Sequence, residues 1–165
     1  MFQNKFINFF AQIYQWGIHF FSNWQSLFIF LLRLIWGHQF FLAGLGKLQN
    51  IDATVVFFTS FGFPIPTFVT WLVALCEFSG GLGLLFGLAS RFFGLLLSII
   101  MLVAYSTAHA HVFGGFVFLF DPSLLVKEAP FAFLLTSLIV LIFGPGKISL
   151  DGWIKRVLMQ KHHFY

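Results

Sequence analysis

The sequence predicts an all-α, polytopic membrane protein: a four-transmembrane-helix bundle with interfacial amphipathic helices at its N and C termini. Two observations predict this class. The chain is 59% hydrophobic and 8% charged, with a mean hydropathy of +0.94, and a soluble domain of 165 residues cannot bury that much apolar surface. The apolar residues also form four long runs, separated by short polar or Pro/Gly-rich segments. Lipid is therefore the expected solvent for most of the chain.

The N-terminal segment, residues 1–26, carries an aromatic and apolar stripe at helical spacing, with Asn, Gln and Lys5 on the other faces. This pattern predicts a helix that lies in the membrane interface. A cleaved signal peptide is the alternative interpretation, but the stretch has no continuous apolar core and no small-residue cleavage site. We expect the helix to be retained.

The transmembrane domain is predicted at residues 27–147. Its first span, about residues 27–45, would cover roughly 28 Å and so cross the hydrocarbon core. The second and third spans are predicted at about 68–89 and 92–108, with Ser90 and Arg91 forming the turn between them. The fourth apolar run, about 129–143, would extend only roughly 22 Å, so a re-entrant segment is an alternative. Residues 148–165 are predicted to form a surface helix and tail.

Lysine and arginine placement favours four spans over three. With four spans, six cations lie on one side and two on the other, which obeys the positive-inside rule and places both termini in the cytoplasm. With three spans, the cationic C-terminal tail would have to be exported. Because the cations are scattered singly, a nucleic-acid partner is not expected. The inner cations are Lys5, Arg91, Lys147, Lys155, Arg156 and Lys161, and the outer ones are Lys47 and Lys127.

Two further segments lie outside the spans. Asn50–Phe61 is predicted to be a short interfacial helix, capped by Asn50 or Asp52. Val112–Glu128 is rich in phenylalanine, and Asp121-Pro122-Ser123 within it is typical of a turn or a helix start.

Arg33 in the first span and Glu77 in the second are predicted to be a buried charge pair. A charge near the middle of the bilayer costs at least about 2.5 kcal/mol, so each needs a partner or a wet cavity. On each helix, glycines share the face of the charge, which would let the two backbones approach closely. A structural clamp and a substrate or proton site are both consistent with this pattern.

Four more polar residues could contact a ligand such as a quinone: His38, Lys47, Tyr105 and His109. Cys76 is the single cysteine, so one chain holds no disulfide, dithiol redox pair or thiolate metal cluster. No metal-ligand motif is present in the sequence, and no metal site is predicted. The catalytic residues, if any, are not identified by a motif.

The order and spacing of several short motifs resemble the DoxX family of small membrane proteins. The resemblance covers about residues 27–153. Its marks are Leu32-Arg33 with Gly37, Phe41, Gly44 and Lys47; Gly62-Phe63-Pro64; Glu77 with Gly80-Gly81; Arg91; and Gly144-Pro145-Gly146-Lys147 with Ser149-Leu150-Asp151.

The resemblance implies a four-helix bundle in the bacterial inner membrane. Members of that family include the DoxD subunit associated with thiosulfate and quinone oxidoreduction, which implies an accessory role in a membrane redox or stress-response system. Quinone is then the implied ligand, and a soluble or membrane redox protein the implied partner, beside membrane lipid and a second copy of the chain. Two alternatives remain open: a small proton-coupled transporter that uses Glu77, and a non-catalytic membrane scaffold.

Overall fold

The structure, a computed structural model, describes residues 2–110 and 121–162, and every regular element in these ranges is a helix. Within the described ranges, seven helices follow one another: α1 (Phe2–Gln49), α2 (Ile51–Ser60), α3 (Pro66–Phe86), α4 (Ser90–Thr107), α5 (Pro122–Lys127), α6 (Pro130–Phe143) and α7 (Leu150–His162). Residues 111–120, within the phenylalanine-rich segment, and the tail residues 163–165 lie outside the description.

Four of these helices form a bundle. α1 packs mainly on α3 and α4 mainly on α6, while contacts between α3 and α4 and between α1 and α6 close the ring. Of the helical segments that the structure describes, three are long and apolar enough to cross a membrane: Trp24–Gln49 within α1, α3 and α4. The fourth, α6, has 14 residues. The prediction of an all-α polytopic membrane protein is confirmed.

Most helix bounds agree with the sequence prediction within a few residues, but two differ. The expected interfacial helix and first span are one continuous helix, α1, of 48 residues. Ser90 does not lie in a turn but begins α4, and the turn is Gly87–Ala89. The physical reason is that Gly87 and Ala89 both have left-handed backbone conformations, with φ of 68° and 47°, which no helix can continue through.

The two short helices outside the spans are capped differently. Asn50 precedes α2 but makes no side-chain cap; its amide instead donates to the Gly46 carbonyl. Asp121 caps α5 by accepting from the Ser123 amide at 3.0 Å, as its sequence motif suggests. Hydrogen bonding by the Ser123 side chain and backbone holds the pKa of Asp121 below its usual range.

Glycines bring the backbones of α1 and α3 into contact at two levels. A Cβ atom added to Gly44 would lie 2.7 Å from Phe78 Cα and 2.9 Å from the Ala74 carbonyl oxygen. One added to Gly81 would lie 2.7 Å from Phe41 Cα. The obstructing atoms are backbone and cannot move aside, so only glycine fits these positions.

Arg33 fastens the C-terminal end of α3 to the loop after α6. Its Nε donates to the Leu84 carbonyl at 2.8 Å and Nη2 to the Leu85 carbonyl at 3.3 Å. Its Nη1 donates to the carbonyls of Pro145 and Ile148, at 2.6 and 3.0 Å. The last carbonyls of a helix lack intrahelical partners and form the negative end of its dipole. A buried guanidinium at this position donates hydrogen bonds to the carbonyls and places a positive charge beside the negative end. Arg33 is only 1% exposed.

Asp151 of α7 completes this end of the bundle. Its two carboxylate oxygens accept from the backbone amides of Ala89 and Ser90, at 2.8 and 2.9 Å, and thereby cap α4. Its own amide donates to the Gly87 carbonyl at 2.9 Å. We call this region, with Arg33 and the Gly144–Ser149 loop, the Arg33 end of the bundle.

Replacement of Gly81 by alanine is expected to lower the free energy of unfolding by roughly 1–3 kcal/mol, the usual cost of overpacking. The measurement is unfolding of the purified protein in mixed micelles, followed by circular dichroism. Gly46 is the matched control, because no atom lies within 4 Å of a Cβ added there. Equal losses in Gly81→Ala and Gly46→Ala would contradict the proposed contact.

Replacement of Arg33 by glutamine is expected to cost about 3 kcal/mol or more, since four backbone carbonyls lose a charged donor. Arg33→Lys keeps the charge but not the planar fork of donors. Its free energy of unfolding should therefore lie between that of Arg33→Gln and that of the native protein. The same unfolding assay measures both, with the exposed Lys127→Gln as a control that should change little. A native-like Arg33→Gln protein would rule out the clamp.

Candidate functional site

At the other end of the bundle, α1, α2, α3, α4 and the start of α6 surround a cavity of about 490 Å³. We call it the Lys47 cavity. Most of its wall is apolar. In the described part of the chain, six phenylalanine side chains line it: Phe40, Phe57, Phe58, Phe61, Phe63 and Phe133.

Lys47 and Glu77 form an ion pair in the wall of this cavity. The Glu77 side chain is 4% exposed and that of Lys47 is 28% exposed, so the cation reaches further into the open space. The pairing follows from the glycine contact. Lys47 lies about one turn beyond Gly44, which touches α3 at Phe78, next to Glu77.

A second polar pair lies at the same end of the bundle. His109 lines the cavity, and its Nδ1 lies 2.7 Å from Glu128 Oε2. Tyr105 is buried behind it, with its ring centroid 6.0 Å from that of His109, and its hydroxyl donates to the Leu125 carbonyl at 2.9 Å. These contacts tie the C-terminal end of α4 to the segment that contains α5 and leads into α6.

The structure does not bring Arg33 and Glu77 together, in contrast to the sequence prediction. Both are buried, at 1% and 3% exposure, but Arg33 binds backbone carbonyls and Glu77 pairs with Lys47. The reason is the axial register of α1 against α3. Arg33 lies beside Leu84 and Leu85, which are about 10–12 Å along α3 from Glu77.

The four candidate ligand contacts separate into three groups. Lys47 and His109 line the same cavity. Tyr105 is fully buried and supports His109 from behind. His38 is exposed on the surface of the bundle and does not line the cavity.

Sequence reasoning did not find the partners of these residues. A signal for the Lys47–Glu77 pair was present, because Lys47 shares the face of α1 that holds Gly37 and Gly44. No local signal links His109 with Glu128, which is 19 positions further along the chain. The ring-lined wall was also not predicted, since aromatic residues occur throughout this chain.

A mostly apolar cavity with a few polar groups fixed in its wall is typical of small-molecule sites, and this cavity has both features. The Lys47 ammonium can donate hydrogen bonds, the Glu77 carboxylate can accept them, and the His109 imidazole can do either. Leu72 and Val103 line the cavity and are 50% and 41% exposed, so the cavity wall continues to the surface that lipid covers.

Comparison with known proteins assigns the chain to a family. The sequence model of DoxX matches residues 28–110, which include Arg33, Lys47, Glu77 and His109. No solved structure matches the chain.

Three bacterial proteins are similar over most of their length. "Putative oxidoreductase CatD" of Bacillus subtilis is 34% identical, over 75% of this chain and 84% of its own. An "Uncharacterized protein" of Haemophilus influenzae is 32% identical, over 81% and 87%. "Inner membrane protein YqjF" of Escherichia coli is 29% identical, over 80% and 95%. On the family match and these likenesses, this chain belongs to the DoxX family.

Proposed function

We propose that this protein is an accessory subunit of a membrane redox or stress-response system and that its Lys47 cavity binds a quinone ring. The observation that carries the proposal is the cavity itself. Its volume of about 490 Å³ lies in the range of small-molecule sites, roughly 300–1,000 Å³. Its phenylalanine wall suits a flat, conjugated ring, which stacks favourably on aromatic side chains.

The polar groups suit the two oxygens of a quinone. A quinone carbonyl accepts hydrogen bonds, which Lys47 and a protonated His109 nitrogen can donate. After uptake of two electrons and two protons, the hydroquinone hydroxyls donate instead, and Glu77 and His109 can accept. The cavity wall reaches the lipid-covered surface at Leu72 and Val103, so an apolar tail would have a path to the bilayer.

The electrons would come from a protein partner, soluble or membrane-bound. Cys76 is the single cysteine, so one chain holds no dithiol that could supply two electrons. The name of the Bacillus subtilis relative, a putative oxidoreductase, supports a redox association. In this proposal the protein binds and orients the quinone, and the partner reduces or oxidises it.

In the membrane, the proposal places α1, α3, α4 and α6 as four spans with both termini in the cytoplasm of a bacterial cell. The basis is the six-to-two distribution of cations, together with the packing of α6 along α4. α6 is short, about 21 Å at 14 residues, so the bilayer would thin locally around it.

Reporter fusions test this topology. Fusions after Lys147 and at the C terminus are expected to report the cytoplasm, and a fusion within residues 122–127 the opposite side. A report from the non-cytoplasmic side at all three sites would show that α6 does not cross the membrane.

Substitutions in the cavity are expected to weaken quinone binding about 10- to 100-fold, the effect of losing one hydrogen bond to a charged group. The variants are Lys47→Gln, Glu77→Gln and His109→Gln. The measurement is calorimetric titration of the purified protein with short-chain ubiquinone and menaquinone analogues. Matched controls outside the cavity are Lys127→Gln and His38→Gln, which should bind as the native protein does.

Removal of one partner of the buried Lys47–Glu77 pair could also damage folding. The double variant Lys47→Gln/Glu77→Gln removes both charges together, so it should fold and still bind weakly. Undiminished binding in that folded double variant would refute the site. Proton-coupled flux in liposomes that disappears in Glu77→Gln would instead identify a transporter.

A further inference from the structure

The Arg33 end of the bundle holds a second, larger cleft of about 850 Å³, distant in sequence and position from the Lys47 cavity. Its wall comes from the middle of α1, the start of α4, the loop after α6 and the first turns of α7. We call it the basic cleft, after four cationic side chains that line it: Arg91, Lys147, Lys155 and Arg156.

The charge of the basic cleft is strongly positive. Among the residues that the structure describes, Asp151 is the one acidic residue in its wall, and both oxygens of that carboxylate accept from the backbone amides at the start of α4. The helix terminus is thereby already capped. Within the described residues, neither Arg91 nor Lys155 forms an ion pair, and both side chains are exposed. Among these residues, Arg91 and Lys155 thus line the cleft without an ion-pair partner.

A buried hydroxyl adds a second polar feature. Ser90 lines the basic cleft and is fully buried, yet its Oγ has no hydrogen-bond partner among the described residues. An unsatisfied buried hydroxyl costs free energy and calls for a partner. The Oγ atom has less than 1 Å² of accessible surface, so it reaches an anion in the cleft only after a rotation about χ1.

The apolar side of the cleft indicates what kind of anion fits. Phe92, near the start of α4, and Phe143, at the end of α6, line this side and are 64% and 59% exposed. Rings beside a cluster of cations form an amphipathic surface. Free phosphate needs only the cations, whereas a phospholipid places its phosphate on the cations and its glycerol and acyl carbons on the rings.

From this geometry we propose that the basic cleft is a binding site for an anionic membrane phospholipid. The lipid phosphate lies between Arg91 and Lys155, and the acyl chains run along Phe92 and Phe143. A bound lipid would bridge α4, the loop after α6 and α7. The site is independent of quinone binding at the opposite end.

Native mass spectrometry of the full chain, purified in detergent, tests the site. The protein is titrated with dioleoyl phosphatidylglycerol, dioleoyl phosphatidylcholine or inorganic phosphate. We expect preferential binding of phosphatidylglycerol. The variant Arg91→Gln/Lys155→Gln should lose about 30-fold in that affinity, given the usual contribution of two cations near an anionic lipid surface. Lys127→Gln, a cation far from the cleft, should bind as the native chain does.

Three outcomes would overturn the proposal. Equal binding of the two lipids would show that the cleft does not recognise the anionic headgroup. The double variant is folded if it still binds phosphatidylcholine. An unchanged affinity of that folded variant for phosphatidylglycerol would show that Arg91 and Lys155 do not form the site. Binding of inorganic phosphate to the native chain with the same dependence on Arg91 and Lys155 would identify a soluble anion as the ligand. The variant Arg91→Lys/Lys155→Arg keeps the charge and should retain phosphatidylglycerol.

Discussion

Glycine backbones of α1 and α3 touch at two levels, through Gly44 against Phe78 and Gly81 against Phe41, and this contact sets how far one helix is shifted along the other. Helices without a side chain at the contact can approach closely, and the close approach fixes one register. That register places Arg33 beside the end of α3 and Lys47 beside Glu77. The clamp and the cavity therefore depend on the same few glycines.

The buried charges serve different parts of the molecule because the register separates them. In the described part of the chain, Arg33 donates its hydrogen bonds to four backbone carbonyls, which belong to the end of α3 and to the loop after α6. Glu77 has a side-chain partner in the wall of a cavity. A guanidinium saturated by four carbonyls has little capacity left for a ligand, whereas an ion pair beside open space keeps donors and acceptors available. Arg33 therefore serves the packing of its end of the bundle, while the Lys47–Glu77 pair lies in a cavity wall.

The two ends also differ in the surface they offer to the membrane. The Lys47 cavity has a mostly apolar wall, and Lys47 and Glu77 in that wall carry opposite charges. The basic cleft lies where four cations and two exposed rings meet, as an anionic amphiphile requires. Asp151 connects this cleft to the bundle, since its carboxylate caps α4 while its amide binds the Gly87 carbonyl. A lipid seated there would add to contacts that already hold the Arg33 end together.

The sequence by itself determined the class, the helices and the burial of Arg33 and Glu77, because hydropathy, helix-ending residues and the cost of a charge in lipid are local properties. Helix bounds agree closely for α2, α3, α4 and α6. Only the tertiary structure decided which groups meet. The partner of each charged side chain depends on the axial shift between α1 and α3. Arg33 contacts Leu84 and Leu85, which lie about 10–12 Å along α3 from Glu77. The glycine faces predicted that α1 and α3 touch, but which glycine meets which residue is decided by packing across the whole bundle.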